Sequence, residues 1–159
     1  MISNPSQPAV ISDDGLHRYF LSRTWSSAGL TVAFIGLNPS TADSQNDDPT
    51  IRRCVSFAKQ WGGSSLWMVN LFAYRATKPS DMITAADPVG SENDVWLDAA
   101  ITNADIVVAA WGNHGHFHNR GQIVRTKYLE YLKALRVTKS GMPSHPLYIP
   151  ASTALVPYC

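Results

Sequence analysis

The sequence lacks most of the features that would assign a protein to a familiar class. Its two cysteines, Cys54 and Cys159, are too few for a disulfide framework or a cysteine-ligated cluster. No apolar run reaches the roughly 18 residues that a membrane helix needs, and the first residues show no basic region followed by an apolar core. We therefore expect a reduced, cytoplasmic protein with no membrane partner.

The common catalytic and cofactor motifs are also missing. Neither Gly-x-Gly-x-x-Gly nor the phosphate-binding loop of NTPases occurs. Ser40 lacks the Gly-x-Ser-x-Gly context of a nucleophile elbow, which argues against an esterase triad. His114, His116 and His118 alternate without an evident further ligand, which is more typical of an exposed loop than of a zinc site. We expect neither a metal nor a cofactor.

The composition indicates one globular domain over residues 1–159, and we expect a monomer. Of the residues, 45% are hydrophobic and 16% charged, and the net charge is +1, too small for a general attraction to nucleic acid. Charge is unevenly distributed, however, because residues 120–145 contain six Lys and Arg but one acid, Glu130. This segment is either a basic face that follows phosphates or a solvated helix surface.

Segments of strand and helix character alternate along the chain. Apolar, β-branched runs predict strands at 30–35, 65–71 and 105–111, with a short fourth strand from Val137. Together these predict a three-layer α/β/α domain with a short, mainly parallel four-stranded central sheet. Residues 1–14 should form a loose arm, 17–21 a short edge strand, and 77–90 a long loop.

Three helices are expected between these strands. Asp48 can cap a helix that has Pro49 in its first turn and ends at Gly62. Ser91 and Asp94 have the spacing of a capping box before a helix that reaches about residue 103, with Val95 turned inward. An amphipathic pattern over 121–135 predicts the third helix.

Polar residues follow the predicted parallel strands. Asn38 follows the first strand, Asn70 lies at the end of the second, and a Trp-Gly-Asn-His segment follows the third. Because the carboxyl ends of parallel strands lie side by side, these groups are expected to line one pocket. Asn70 either holds a loop or contacts a ligand that offers both a donor and an acceptor.

The tail contains the last candidate. Pro143 and Pro146 stiffen the backbone around His145. A rigid histidine beside a pocket is suited to stabilise developing negative charge, and a structural or surface histidine is the alternative. Cys54 lies on the inner face of the first helix and is expected in the core.

Four blocks of sequence carry a family resemblance. On these blocks the segment from His17 to Tyr158 is identified as a member of a bacterial and phage family known as domain of unknown function 1643. The family brings no established activity. The blocks are residues 37–43 (LNPSTAD), 48–54 (DPTIRRC), 70–77 (NLFAYRAT) and 145–148 (HPLY).

A more distant resemblance is to the uracil-DNA glycosylase superfamily. Residues 36–40 (GLNPS) resemble its first catalytic motif, and Asn70, with Arg75 downstream, resembles the strand that carries the base-reading asparagine. Residues 107–112 resemble the strand that ends in Trp-Gly. Either 142–144 (MPS) or 145–146 (HP) resembles the second catalytic motif. Ser40 departs from the usual glycine, and the cluster-ligating cysteines of some branches are absent.

The resemblance implies hydrolysis of an N-glycosidic bond with the base extruded into the pocket. Asn38 would position the attacking water, Asn70 would read the base, and His145 would donate a hydrogen bond to its developing charge. Leu147 or Tyr148 would fill the vacated stack. Implied substrate contacts are Gly36, Leu37, Pro39, Ser40, Asp43, Asn70, Arg75, Ser144 and Leu147, and implied phosphate contacts are Arg52, Arg120 and Lys139.

Two other functions stay open at this point. The first is an enzyme of the same fold that acts on a free nucleotide or a hypermodified base in phage DNA modification or defence. The near-neutral charge and the acidic residues Asp43, Asp47 and Asp48 favour it. The second is a module that binds nucleic acid without catalysis. The expected partner is nucleic acid, DNA above all, or a nucleotide.

Overall fold

A mixed β-sheet forms the centre of the molecule. The structure is a computed structural model that describes residues 8–158. Within them, seven strands form one sheet in the order β1-β2-β4-β3-β5-β6-β7. The strands are β1 (Ala9–Ile11), β2 (Arg18–Thr24), β3 (Leu30–Gly36), β4 (Gly63–Asn70), β5 (Ile106–Ala109), β6 (Leu132–Ala134) and β7 (Val156–Pro157).

The four middle strands are parallel, and the outer ones are antiparallel. β3 pairs in parallel with β4 and β5, and β5 pairs in parallel with β6. β2 runs antiparallel to β4, β1 to β2, and β7 to β6. The α/β class is thus confirmed, and the prediction of a four-stranded sheet is wrong. β1 and β7 have only three and two residues, too few to show a period-2 pattern.

Within the described residues, four α-helices accompany the sheet, and they pack against both of its faces. Val32 and Phe34 of β3 pack with the first helix, whereas Ala33 and Ile35 pack with the third. Successive residues of a strand point to opposite faces, so one apolar strand serves both layers. The helices are α1 (Pro49–Gln60), α2 (Pro79–Ile83), α3 (Asn93–Asn103) and α4 (Arg120–Lys127).

The first helix begins and ends where the sequence predicts. Asp48 Oδ1 accepts a hydrogen bond from Ile51 N at 2.9 Å, and Pro49 occupies the first turn. Gly62 follows the helix with a φ of 80°, a left-handed conformation that glycine adopts without strain. Cys54 is buried in the core, as expected.

Several boundary predictions are wrong. The helix predicted over 121–135 ends at Lys127, and the last part of the predicted helix is β6. In this strand Leu132 and Ala134 are buried, and Lys133 between them is exposed, which is the alternation of a strand. The fourth parallel strand is therefore β6 and does not begin at Val137. The predicted loop 77–90 contains α2.

Three further predictions need correction. The capping box is wrong, since α3 is capped at Glu92 without a side-chain bond, and Val95 is 67% exposed. The predicted strand at 17–21 exists as β2, but it is not at the edge, because β1 lies outside it. β1 also falls within the predicted loose arm, of which residues 1–7 lie outside the described residues.

Candidate functional site

A cavity of about 620 Å³ lies at the carboxyl ends of the parallel strands β3, β4 and β5. This is the edge at which open α/β sheets bind ligands, and the volume is typical of small-molecule sites. Thirteen of the residues that the sequence analysis places at the pocket line it. They are Gly36, Leu37, Asn38, Pro39, Ser40, Asn70, Trp111, Gly112, Asn113, His114, His145, Leu147 and Tyr148.

Asn70 is the last residue of β4 and lines the cavity. It is only 2% exposed, and neither its Nδ2 nor its Oδ1 has a hydrogen-bond partner within residues 8–158. Gly36 pairs with it across the parallel ladder, and a Cβ at Gly36 would lie 2.6 Å from Asn70 Oδ1. A glycine at the end of β3 is therefore what leaves room for this amide.

Side chains from the first residues of α3 and α4 hold the backbone that carries Asn70. Asn93 Nδ2 donates to Asn70 O at 2.9 Å and to Leu71 O at 3.0 Å. Arg120 donates to the same Leu71 O from Nε at 3.2 Å and Nη2 at 2.8 Å. The first residues of α3 and α4 thus meet at one carbonyl. This arrangement fixes the strand end, while the Asn70 side chain stays unpaired.

Asn38 lies two residues beyond the end of β3, and its amide has a defined orientation. Its Nδ2 donates to Ala76 O at 2.9 Å and to Pro39 O at 3.1 Å. Because the nitrogen is committed to these carbonyls, the oxygen is the end of the amide that remains available. No donor from the described residues contacts Asn38 Oδ1. This orientation provides the cavity with a fixed neutral acceptor.

The tail reaches the same edge through backbone contacts. Gly112 N donates to Pro143 O at 2.7 Å, just beyond β5. Trp111, which is buried beside this junction, packs its ring where side chains on Gly115 or Gly121 would clash. These contacts place the segment that contains His145 against the carboxyl end of β5.

His145 has a defined tautomer. Its Nδ1 accepts a hydrogen bond from Leu147 N at 3.2 Å, and a backbone N–H can only donate, so Nδ1 carries no proton. The proton of the neutral ring is then on Nε2. Burial lowers the pKa of His145, and Asp48 opposes this shift in part. At neutral pH the residue is thus an uncharged N–H donor at the cavity.

Two exposed apolar side chains stand at the rim. The His145 side chain caps a 3-10 turn, Pro146–Tyr148, by means of the Leu147 contact. Leu147 is 46% exposed and Tyr148 is 82% exposed, and both line the cavity. Side chains of this kind at a pocket entrance can contact a large ligand without unfolding any part of the core.

Arg18, which the sequence analysis did not single out, also lines the cavity. It is the first residue of β2 and is 2% exposed. Its Nη1 donates to Ala42 O at 3.0 Å, and its Nε is buried without a described partner. Burial lowers the pKa of Arg18 to about 10, which leaves it charged at neutral pH. In the sequence, the feature that could have indicated this role is a charged residue within the apolar 17–21 segment.

Three other predicted residues are not part of the cavity lining. Asp43 accepts from the backbone of Gln45 and Asn46, and these bonds lower its pKa. Arg75 donates to Gly15 O at 3.3 Å. Ser144 is buried beside the cavity wall and is not part of its lining.

The three predicted phosphate contacts differ in accessibility. Arg52 and Lys139 are exposed. Arg120 is buried, and besides Leu71 O it contacts Asp94 Oδ1 at 2.9 Å. The structure therefore brings Arg120 to the interior, where its guanidinium already has partners, and not to the molecular surface.

Residues 8–158 were compared with the requirements of a metal site and of a membrane-spanning helix. They contain no group of three or more His, Cys, Asp or Glu side chains arranged to hold a metal ion. None of their helices combines the length and the apolarity that crossing a membrane requires.

The family comparison agrees with the sequence blocks. The family model described as "Protein of unknown function (DUF1643)" matches residues 18–147, and the chain belongs to that family. No curated protein matches the chain. No solved structure matches it either. The family assignment is thus confirmed.

Proposed function

We propose that this protein is a DNA glycosylase-like hydrolase that cleaves the N-glycosidic bond of an extruded damaged or modified base. The observation that carries the proposal is Asn70, a buried amide with no partner at the floor of a cavity. Leaving such a group unpaired costs about 1–3 kcal/mol, so a ligand that pairs with it recovers free energy. A nucleobase edge presents the donor and acceptor that the amide needs.

Asn38 would orient the attacking water. Its Oδ1 is a fixed acceptor, because Nδ2 is bound to Ala76 O and Pro39 O. A water that donates to this oxygen has a lone pair directed away from it, toward the sugar carbon. An amide is too weak a base to remove the proton early, which suits a reaction in which the sugar becomes cationic before the water adds.

His145 would stabilise the departing base. The carbon–nitrogen bond breaks with its electron pair on the base, whose oxygen gathers negative charge. The Nε2–H of the neutral ring can donate to that oxygen. A preorganised donor of this kind is worth roughly 3–4 kcal/mol in a site that excludes water. The water oxygen bonds to the sugar carbon, and its proton balances the charge of the released base.

The rim and the surface would hold the nucleic acid. Leu147 or Tyr148 would enter the space that the extruded base leaves in the stack, in accord with their exposure beside the cavity. Exposed Arg52 and Lys139 would contact phosphates. We assign no phosphate contact to Arg120.

An abasic-site assay tests the proposal. Oligonucleotides that contain uracil, hypoxanthine or hypermodified pyrimidines are incubated with the wild type, Asn38→Ala and Asn103→Ala. Asn103 is the matched control, because its Nδ2 also donates to a backbone carbonyl, Ala99 O at 2.7 Å, but it does not line the cavity. We expect base release by the wild type and Asn103→Ala, and at least a 100-fold slower rate for Asn38→Ala.

Two results would contradict the proposal. If no substrate releases its base, the protein is not a glycosylase of these substrates, and binding without release would favour the non-catalytic module. If release occurs and Asn38→Ala retains it, the role assigned to Asn38 is wrong.

A second candidate is an enzyme of the same site that acts on a free nucleotide or a hypermodified base. The cavity volume favours it, because about 620 Å³ accommodates a ligand larger than an unmodified base. The salt dependence of DNA affinity separates the two. A glycosylase that contacts several phosphates loses affinity steeply with salt, whereas a nucleotide enzyme shows little dependence.

A further inference from the structure

Arg18 carries a buried charge that has no ion-pair partner in the described residues. An arginine is rarely buried unless an anion pairs with it. Within residues 8–158, no carboxylate lies within 4.0 Å of its guanidinium, since the ion pairs there are Arg23–Asp47 and Arg120–Asp94. Its one described hydrogen bond, to Ala42 O, leaves buried Nε without a partner.

Asp48 does not remove this imbalance. It also lines the cavity, and its negative charge raises the pKa of Arg18 against the stronger effect of burial. Its carboxylate lies more than 4.0 Å from the guanidinium, however, and it caps α1, where Oδ1 accepts from Ile51 N at 2.9 Å and Oδ2 from Ala42 N at 3.4 Å. The charge of Asp48 is thus shared with the amino end of α1.

The location of Arg18 connects it to the proposed base site. Its backbone N–H donates to Ala73 O, three residues beyond Asn70. Both side chains line the same cavity, and both are buried with unpaired polar atoms. Thr50, in the first turn of α1, lines it too.

We propose that the cavity binds a ligand with an anionic group, a carboxylate on the base or a phosphate, which Arg18 contacts beside Asn70. The anion completes the hydrogen bonding of the buried guanidinium and neutralises its charge. The part of this inference that places the anion on a base rests on the proposed function. The anion site itself does not.

The chain supplies a matched control for Arg18. Arg23 lies on the same strand and also holds the loop after β3, through Asp47 Oδ1 and the carbonyl oxygens of Asp43 and Asn46. It does not line the cavity. Loss of either arginine loosens this loop, but only loss of Arg18 removes a charge from the site. Arg18→Met should fold, because an apolar side chain of similar length suits a buried position.

The first experiment measures thermal stabilisation by inorganic phosphate and by acetate at constant ionic strength, with chloride as the reference. We expect one of the two to raise the Tm of the wild type and of Arg23→Met, but not of Arg18→Met. Which anion acts distinguishes phosphate from carboxylate. Arg18→Gln, which keeps a donor for Ala42 O, should behave like Arg18→Met. No stabilisation of the wild type, or equal stabilisation of Arg18→Met, overturns the proposal.

The second experiment compares 5-carboxyuracil with its neutral isostere 5-carbamoyluracil, and uridine 5′-monophosphate with uridine, by calorimetric titration. We expect the wild type and Arg23→Met to bind one anionic member about 10- to 100-fold more tightly than its neutral counterpart, and Arg18→Met to lose that preference. Absence of any preference in the wild type overturns placement of the anion on a nucleoside ligand. This experiment measures binding and does not depend on bond cleavage. If the protein releases no base but shows the Arg18-dependent preference, only the proposed reaction is contradicted, and the anion site stands.

Discussion

The side chain of Asn70 occupies the space that a side chain on Gly36 would need, since a Cβ there would approach Asn70 Oδ1 to 2.6 Å. Gly36→Ala should therefore displace the Asn70 amide and weaken ligand binding at least 10-fold. It should also lower the free energy of unfolding by about 1–3 kcal/mol, as overpacking does. Equilibrium denaturation and ligand titration measure the two effects.

The double variant Gly36→Ala/Asn70→Ala provides the control. Removal of the amide removes the clash with Oδ1, so the Gly36→Ala change should destabilise the Asn70→Ala protein less than the wild type. Additive effects would show that the cost of Gly36→Ala arises elsewhere, for example from contact with the end of Met68, which is 2.8 Å from the same Cβ.

Two buried asparagines should respond to mutation with opposite signs. Asn70→Ala removes an amide that has no partner in the described residues, so we expect unchanged or increased stability, by up to about 1–3 kcal/mol, together with loss of ligand binding. Asn93→Ala removes the donor to Asn70 O and Leu71 O, so we expect a loss of about 1–3 kcal/mol. Urea denaturation of both variants measures this. A large destabilisation by Asn70→Ala would show that its side chain has a structural partner.

His145 predicts a defined pH dependence. Burial lowers its pKa, so the neutral ring persists below the usual histidine value of about 6.5. Protonation of Nδ1 breaks its hydrogen bond with Leu147 N, which orients the ring, so activity should fall only as the pH drops through the lowered pKa. The unfolded chain takes up this proton at about pH 6.5, whereas the folded protein does so only at lower pH. The stability that this residue contributes is therefore complete above pH 6.5 and declines below it.

His145→Gln is the test of this assignment, because glutamine retains an N–H donor and does not titrate. Between pH 7.5 and 5.5 the wild type should lose more stability than the variant, and the acidic limb of the activity profile should be absent from the variant. If the limb persists unchanged, it belongs to another group.

Substitution of Arg120 should affect stability, whereas substitution of Lys139 should affect nucleic-acid binding. Arg120→Met removes two donors from Leu71 O, and we expect a loss of about 1–3 kcal/mol in the free energy of unfolding. Lys139→Met changes an exposed side chain, so its stability should stay within about 0.5 kcal/mol. If Lys139 contacts a phosphate, its loss should reduce the salt slope of DNA binding by about 0.9. The reverse pattern would mean that Arg120 faces the nucleic acid.

The convergence of Asn38, Asn70 and His145 on one cavity follows from information that the sequence contains. Asparagines that end apolar runs lie at the carboxyl edge of a parallel sheet, and prolines mark the rigid segment around His145. Arg18 could not be assigned in the same way. Its neighbours indicate only a strand, and whether its side chain faces solvent or a cavity depends on how β2 pairs with β4.

The errors in the predicted fold have a similar origin. Leu132 and Leu135 continue the helical spacing of the residues before them, but Leu132 and Ala134 also suit a three-residue strand, and only pairing with β5 decides between the two. Likewise, the count of basic residues over 120–145 does not reveal that Arg120 turns toward Leu71 O. Charge alone does not report the direction of a side chain.

The short outer strands of the sheet have a consequence for solubility. At one edge β1 offers three residues, and at the other β7 offers two, of which Pro157 has no N–H to donate. An exposed strand edge becomes a template for aggregation in proportion to its run of unpaired N–H and C=O groups. Across residues 8–158, the parallel core is thus bordered by short edge strands, which reduce its tendency to pair with a strand from a second molecule.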